Sequence, residues 1–248
     1  MVEMHELAFL FVVGGIAGFV DAIAGGGGLL SIPALLWTGM SPIQAIATNK
    51  LQASMGSFTA TANYIRHGLV SPGELKLAVA MTFLGAMTGA ILVQHLPNAW
   101  LETLVPVMLI LIALYFLFSK SIDLEKGRQR LSLGLFSVLI GFSVGFYDGF
   151  FGPGTGSFFT IAFVLLLGYG LQRAIGGTKL LNFTSNVVSL GVFVLSGQIL
   201  WLAGIVMGSG QILGSYLGSH MAVKHGGRLI RPMLVTISIL MSIRLLLD

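Results

Sequence analysis

Long uncharged apolar runs recur along the whole chain, and they restrict it to a membrane fold. Examples are residues 104–118, 133–147 and 187–207. Because 55% of the 248 residues are hydrophobic and only 9% are charged, most of the chain must face lipid or other apolar helices. Solid blocks of Leu, Ile, Val and Phe lack the alternation of a spanning β-barrel. We therefore predict an all-α polytopic integral membrane protein.

Charge and cysteine content exclude several other classes of protein. The start carries Glu3 and Glu6 without Lys or Arg, so we expect an uncleaved first helix and not a signal peptide. Cysteine is absent, which excludes disulfides and thiolate metal sites, and we predict no metal and no cofactor. The basic residues lie in short loops, so their expected partners are membrane lipids and not nucleic acid.

The two halves of the sequence resemble each other. Because charged residues are rare here, the aligned Asp and Lys are stronger evidence of a repeat than the aligned glycines are. We predict a first transmembrane repeat over 1–122 and a second over 123–248, which together form one domain. One offset pairs Gly14 with Gly141, Gly18 with Gly145 and Asp21 with Asp148; a slightly longer offset, the Lys50–Lys179 register, also pairs Gly85 with Gly214 and Gly89 with Gly218.

Each half reads as a first helix, a short apolar piece and three longer helices. A short piece spans only about 18 Å as a helix, against roughly 30 Å of hydrocarbon, so it either crosses with help from a glycine turn or dips in and returns. If both short pieces return, the halves are parallel; if both cross, the repeats are inverted. The first helices are expected at 6–24 and 132–150, and the short pieces at 29–38 and 157–168.

The distribution of basic loops favours inverted repeats. If each half has five crossings, every basic connection faces the cytoplasm; with four crossings per half, the connection from Lys224 to Arg231 would lie outside. We therefore predict two inverted repeats of about five helical segments each, eight to ten transmembrane segments in total with ten favoured, and both termini outside. Secondary transporters commonly have this architecture and bind substrate near the midplane.

Asp21 and Asp148 lie near the ends of the first helices, where a charged carboxylate costs about 2.5 kcal/mol or more. One interpretation makes one or both of them a proton carrier or a ligand for a coupling ion. The other makes them counter-ions of Lys50 and Lys179 that hold helices together. The two interpretations are compatible.

Each lysine begins a polar stripe on a long helix. Ser54 and Ser57 follow Lys50, while Asn182 and Asn186 follow Lys179 on one helical face. Such stripes offer hydrogen-bond donors to a bound anion. The alternative is hydrogen bonding between helices without any ligand.

Glycine-rich turns follow both aspartates. They allow the chain to break with bare N–H groups, which can bind a negatively charged oxygen at the start of the next helix. The alternative, close packing through small residues, better explains the scattered glycines at 85, 89, 214 and 218. The candidate binding residues in these turns are Gly25, Gly26, Gly27 and Gly28 in the first half, and Gly152, Gly154, Thr155, Gly156 and Ser157 in the second.

These motifs resemble the TauE/SafE family of bacterial membrane transporters. The resemblance rests on "GFVDAIAGGGGLLSIPALLW", the segment Ala47–Lys50 and their second-half counterparts, and it covers nearly the whole chain. It implies a multi-pass transporter of the bacterial inner membrane, not an enzyme, that exports a sulfite, organosulfonate or other small organic anion. The family is usually described with eight helices, against ten counted here. Combined with the aspartates, the resemblance suggests alternating access with protons as the candidate coupling ion.

Two other classes fit part of the pattern. A passive anion channel would need the same lysines and glycines, but its flux would not depend on a proton gradient. An intramembrane aspartyl protease would need two carboxylates sharing a proton, yet its second motif, Gly-x-Gly-Asp, is absent. The sequence leaves the anion, the direction of transport and the oligomeric state open.

Overall fold

The protein is described by a computed structural model over residues 3–118 and 128–225, and these residues form helices joined by short turns. The first five helices are α1 Met4–Ala24, α2 Gly28–Trp37, α3 Pro42–Arg66, α4 Lys76–Gln94 and α5 Asn98–Phe118. After the gap come α6 Leu133–Phe136, a π-helical segment Ser137–Gly141, α7 Phe142–Phe150, α8 Thr155–Leu167, α9 Leu171–Ser196 and α10 Trp201–His225.

Four of the described helical segments are long and apolar enough to cross a membrane by length and composition. They are α1, α4, α9 and the continuous stretch Leu133–Phe150, while α2 and α8 are shorter apolar helices. The predicted all-helical fold is thereby confirmed for the described residues, and the first helices and short pieces lie close to their expected bounds. The third long helix of the second half falls after 225, outside the described residues.

Local sequence explains where the key helices begin and end. Gly25 ends α1 in a left-handed conformation with φ of 79°, which a glycine adopts without strain. Ser41 caps α3, because its side chain accepts from the Gln44 N–H while the Gln44 side chain accepts from the Ser41 N–H. These caps fix the positions of Asp21 and Lys50 along their helices.

The helix ends gather at two ends of the molecule. We call one the acidic end, where Met40 packs with Ala203 and the Leu200 N–H donates to Thr48. At the other, the basic end, the Arg130 N–H donates to the Leu166 carbonyl at 2.8 Å. Outside the buried interior, every described Lys and Arg lies at the basic end: Arg66, Lys76, Arg128, Arg130, Arg173 and Lys224. The acidic end carries Glu3, Glu6 and Glu102.

Each short helix folds back beside the helix before it. The ring centroids of Phe9 and Trp37 lie 5.0 Å apart, so α2 runs antiparallel to α1 and ends at the acidic end, where α1 begins. In the second half, the contact of Arg130 with Leu166 brings the end of α8 back to the basic end, where α6 begins. The two hairpins therefore open toward opposite ends.

Apart from α5, the described helices form two bundles, and each bundle includes one helix from the other half of the chain. The first bundle is α1, α2, α3 and α10, and the second is α4, α6, the π segment, α7, α8 and α9. Backbones meet where the exchanged helices pack: a Cβ on Gly214 would strike the Gly15 carbonyl, and one on Gly89 the Phe146 carbonyl. This is the close packing expected of these glycines. The bundles face each other mainly through α3 and α9.

Candidate functional site

Two buried ion pairs join the bundles, and each pair joins the two halves of the chain. Lys50 Nζ lies 2.7 Å from Asp148 Oδ1, and Lys179 Nζ lies 2.8 Å from Asp21 Oδ2. The sequence identified all four residues but did not determine which aspartate pairs with which lysine. Each of the two lysines thus lies within ion-pair distance of an aspartate from the other half of the chain.

Asp148 is held by several donors at once. Its Oδ1 accepts from Lys50, while its Oδ2 accepts from Asn182 Nδ2 at 3.1 Å and from the Ser185 hydroxyl. Lys50 also donates to the Asp148 peptide carbonyl. The side chains of Lys50 and Asp148 are 0% and 2% exposed, so this pair is sealed from solvent.

Asp21 has fewer partners. Its Oδ2 accepts from Lys179, and its Oδ1 accepts from the Gly27 N–H at 3.3 Å. A Cβ on Gly27 would lie 2.7 Å from the Asp21 Cβ, so only glycine brings this N–H so close. The Asp21 side chain is 12% exposed, which makes this pair the more accessible of the two.

The two glycine turns pack directly against each other. A Cβ on Gly156 would lie 2.5 Å from the Gly25 Cα, and the Ser157 hydroxyl donates to the Ala24 carbonyl at 2.8 Å. A Cβ on Gly28 would meet Pro153 at 3.0 Å. The turns therefore form the contact between the halves at the centre, and Gly27 supplies its N–H to an internal carboxylate.

The other predicted binding residues either lie in the glycine turns or donate hydrogen bonds to nearby backbone carbonyls. Gly152 adjoins the sealed pair, since a Cβ there would lie 2.9 Å from Lys50 Nζ. Gly154, with φ of 82°, precedes α8, and Gly26 has its nearest neighbour, Leu29, at 4.0 Å from a Cβ placed on it. Four side chains donate to nearby carbonyls of their own chain: Ser54 to Lys50, Ser57 to Ala53, Thr155 to Gly152 and Asn186 to Asn182.

Sequence reasoning missed several polar residues around the pairs. Ser185 was not predicted as a site residue because its counterpart in the Lys50–Lys179 register is Gly56, which has no polar side chain. A matched contact ties each short helix to its long neighbour: Ser31 to Asn49 at 2.5 Å, and Thr160 to Thr178 at 3.1 Å. The same register aligns these two contacts, and that alignment is the signal that could have revealed them.

The described part of the chain contains neither a carboxylate dyad nor a cluster of metal-binding side chains. Asp21 and Asp148 pair with lysines and not with each other, unlike the carboxylate dyad of an aspartyl protease. Over residues 3–118 and 128–225, no cluster of His, Asp and Glu suited to a metal ion occurs.

A cavity of about 380 Å³ opens at the basic end between the connection 68–75 and the start of α9. Arg173 lines the cavity; its guanidinium group donates to Glu74 at 2.7 Å and lies 4.1 Å above the Tyr169 ring. Gly177, just before Lys179 on α9, also lines the cavity. The cavity therefore approaches the helix that carries the more accessible ion pair.

A bundle of apolar helices with charges paired in its interior is typical of a polytopic membrane protein. Comparison with known proteins identifies which kind. The family model described as sulfite exporter TauE/SafE matches residues 10–245, so the chain belongs to that family of membrane transporters. The resemblance seen in the motifs is confirmed.

Relatives named as probable membrane transporters align over nearly their full length. The probable membrane transporter protein YfcA of Escherichia coli strain K12 is 50% identical over 100% of this chain and 92% of the relative. A probable membrane transporter protein of Haemophilus influenzae is 47% identical over 98% and 95% of the two chains. One from Bacillus subtilis, YunE, is 25% identical over 86% and 88%. No solved structure gave a significant match.

Proposed function

We propose that this protein is a secondary transporter that exports a small sulfur-containing or organic anion, of the sulfite or organosulfonate class. The observation that carries the proposal is the pair of lysine ammonium groups, each buried at the contact between two helical bundles. A buried ammonium needs a negative partner, and an aspartate that takes up a proton leaves that position to an anion.

The site comprises the two ion pairs and the glycine turns between them. Within it, the Gly27 N–H and at least one of Lys50 and Lys179 are the donors for the anion, and Asp21 and Asp148 are the candidate proton carriers. Membrane lipids surround the helices. Asn182 contributes through its bond to Asp148.

The halves are inverted repeats in this proposal, and the chain lies in the bacterial inner membrane with its termini outside. Two observations support this topology. The hairpins α1–α2 and α7–α8 open toward opposite ends, and the described Lys and Arg residues outside the ion pairs lie at one end. Positive loops favour the cytoplasm, so the basic end faces inward.

Alternating access then takes place between bundles and not between halves. Exchanged helices lock the halves together, because α1 packs on α10 and α4 packs on α7 through glycine contacts. The contact of α3 with α9, crossed by both ion pairs, is the interface where movement opens the site to one side and then to the other.

Flux from proteoliposomes tests the proposal. Purified protein is reconstituted with sulfite, sulfoacetate or a small carboxylate inside, and efflux is followed with and without a pH gradient, with protein-free vesicles as control. We expect saturable efflux of one of these anions that changes with the proton gradient. Efflux that is linear in concentration and indifferent to the gradient would instead identify a channel, and no efflux of any anion would refute the proposal.

A further inference from the structure

The two ion pairs differ in their hydrogen-bond partners and in their exposure to solvent. We infer that the Asp21–Lys179 pair is where the transported anion binds, and that the Asp148–Lys50 pair is a permanent link between the bundles. This inference rests on the proposed function and assigns it to one of the two pairs. The anion class is one that presents two oxygens from a single atom: a carboxylate, a sulfite or a sulfonate.

The difference originates in the sequence of the long helices. Asp148 is bound by Asn182 and Ser185 of α9 in addition to Lys50. In the Lys50–Lys179 register, the corresponding positions of α3 are Ala53 and Gly56. Neither residue has a side-chain donor, so Asp21 lacks the two bonds that fix Asp148.

The space beside Gly56 is filled from another helix. A Cβ on Gly56 would lie 3.0 Å from Gln211 Cδ and 2.9 Å from the Ser215 hydroxyl oxygen. Gln211 is 2% exposed, and its Oε1 accepts no hydrogen bond in the described part of the chain. In the second bundle, Ser185 donates to Asp148. The corresponding space in the first bundle holds the Gln211 amide, which is buried and incompletely hydrogen-bonded. This arrangement is less stable.

Geometry defines what can replace the Asp21 carboxylate. One carboxylate oxygen accepts from Lys179 at 2.8 Å and the other from the Gly27 N–H at 3.3 Å. A sulfite or carboxylate ligand reproduces this two-oxygen contact once Asp21 is neutral and has turned away from Lys179 and the Gly27 N–H. A halide has one centre and cannot reproduce it. The other titratable group near Asp21 is Tyr64, whose hydroxyl donates to the Ala22 carbonyl at 3.0 Å.

Access supports the same assignment. The Asp21 side chain is 12% exposed, against 2% for Asp148. Lys179 lies about two turns from the basic end, where the cavity opens, while Lys50 lies about two turns from the acidic end. The exchangeable pair is therefore the one nearer the cavity.

Matched variants test the inference by thermal unfolding of the full chain in detergent, with sulfite, acetate or chloride added. The set is Lys179→Gln, Lys50→Gln, Asp21→Asn and Asp148→Asn. We expect Lys179→Gln to weaken stabilisation by sulfite or acetate about tenfold or more, while Asp21→Asn keeps or strengthens it. Lys50→Gln and Asp148→Asn should lower the melting temperature more than their counterparts do, yet still respond to the anion. Chloride should have no effect on any variant.

Three results would overturn the inference. An equal anion response in Lys179→Gln and wild type, or loss of the response in a folded Lys50→Gln alone, would reject this assignment and leave anion transport standing. Absence of any response in both wild type and Asp21→Asn would reject the proposed function as well. If Lys50→Gln does not fold, Asn182→Ala replaces it, since it loosens Asp148 and keeps both ion pairs; loss of the anion response there would count equally against the inference.

Discussion

At the scale of single residues, the buried charges dominate the account. A lysine and an aspartate sealed from solvent are costly to leave unpaired, because each charged group has lost its hydration. Lys50 and Asp148 meet this condition, with side chains 0% and 2% exposed. Their contribution should therefore depend on both partners being present.

We expect Lys50→Gln and Asp148→Asn each to lower the free energy of unfolding by about 3–5 kcal/mol. The double variant should lose less than the sum of the two, since it leaves no uncompensated charge. Melting temperatures of the three variants in one detergent measure this coupling. Additive losses would show that the two side chains do not stabilise each other.

At the scale of helices, glycine backbones set the packing of α4 on α7. A Cβ on Gly89 would strike the Phe146 carbonyl, whereas one on Gly191 of α9 meets nothing within 4 Å. Alanine normally stabilises a helix by about 1 kcal/mol relative to glycine.

Gly89→Ala should therefore lower the melting temperature, while Gly191→Ala should leave it unchanged or raise it slightly. The two variants make the same chemical change in two helices, so intrinsic propensity cancels in their comparison. Thermal unfolding side by side measures the difference. Equal behaviour would mean that α4 and α7 do not pack through Gly89.

Helix bounds were predictable because apolar runs and glycine turns mark them locally. The short helices at Gly28–Trp37 and Thr155–Leu167 follow directly from the residues that precede them. The pairing of the charges was not predictable, since it depends on how the helices of the two halves pack against each other, and no local sequence pattern encodes that packing. The roles of the predicted binding residues stay predictions.

At the scale of the whole molecule, the proposal requires the two bundles to move relative to each other at the basic end. A Cβ on Gly176 of the second bundle would lie 3.3 Å from the Val70 Cβ, in the connection that leads from α3 of the first bundle to α4 of the second. This distance approaches that of a disulfide, and the chain contains no natural cysteine.

The double variant Val70→Cys/Gly176→Cys should transport when reduced and stop when oxidised. A matched control, Met81→Cys/Gly141→Cys, also brings its Cβ atoms to 3.3 Å but joins α4 to the π segment within one bundle. Its flux should survive oxidation. Flux in proteoliposomes before and after oxidation distinguishes the two; full activity of the oxidised cross-bundle variant would reject movement at this contact.

The central claim, that a buried lysine binds the transported anion, is tested most directly by calorimetric titration of the purified protein with sulfite. Lys179→Gln is compared with Lys76→Gln, which removes the same charge from an exposed position at the basic end. The account predicts saturable binding to wild type and Lys76→Gln, and binding at least about tenfold weaker in Lys179→Gln. Equal binding by Lys179→Gln and wild type would contradict it.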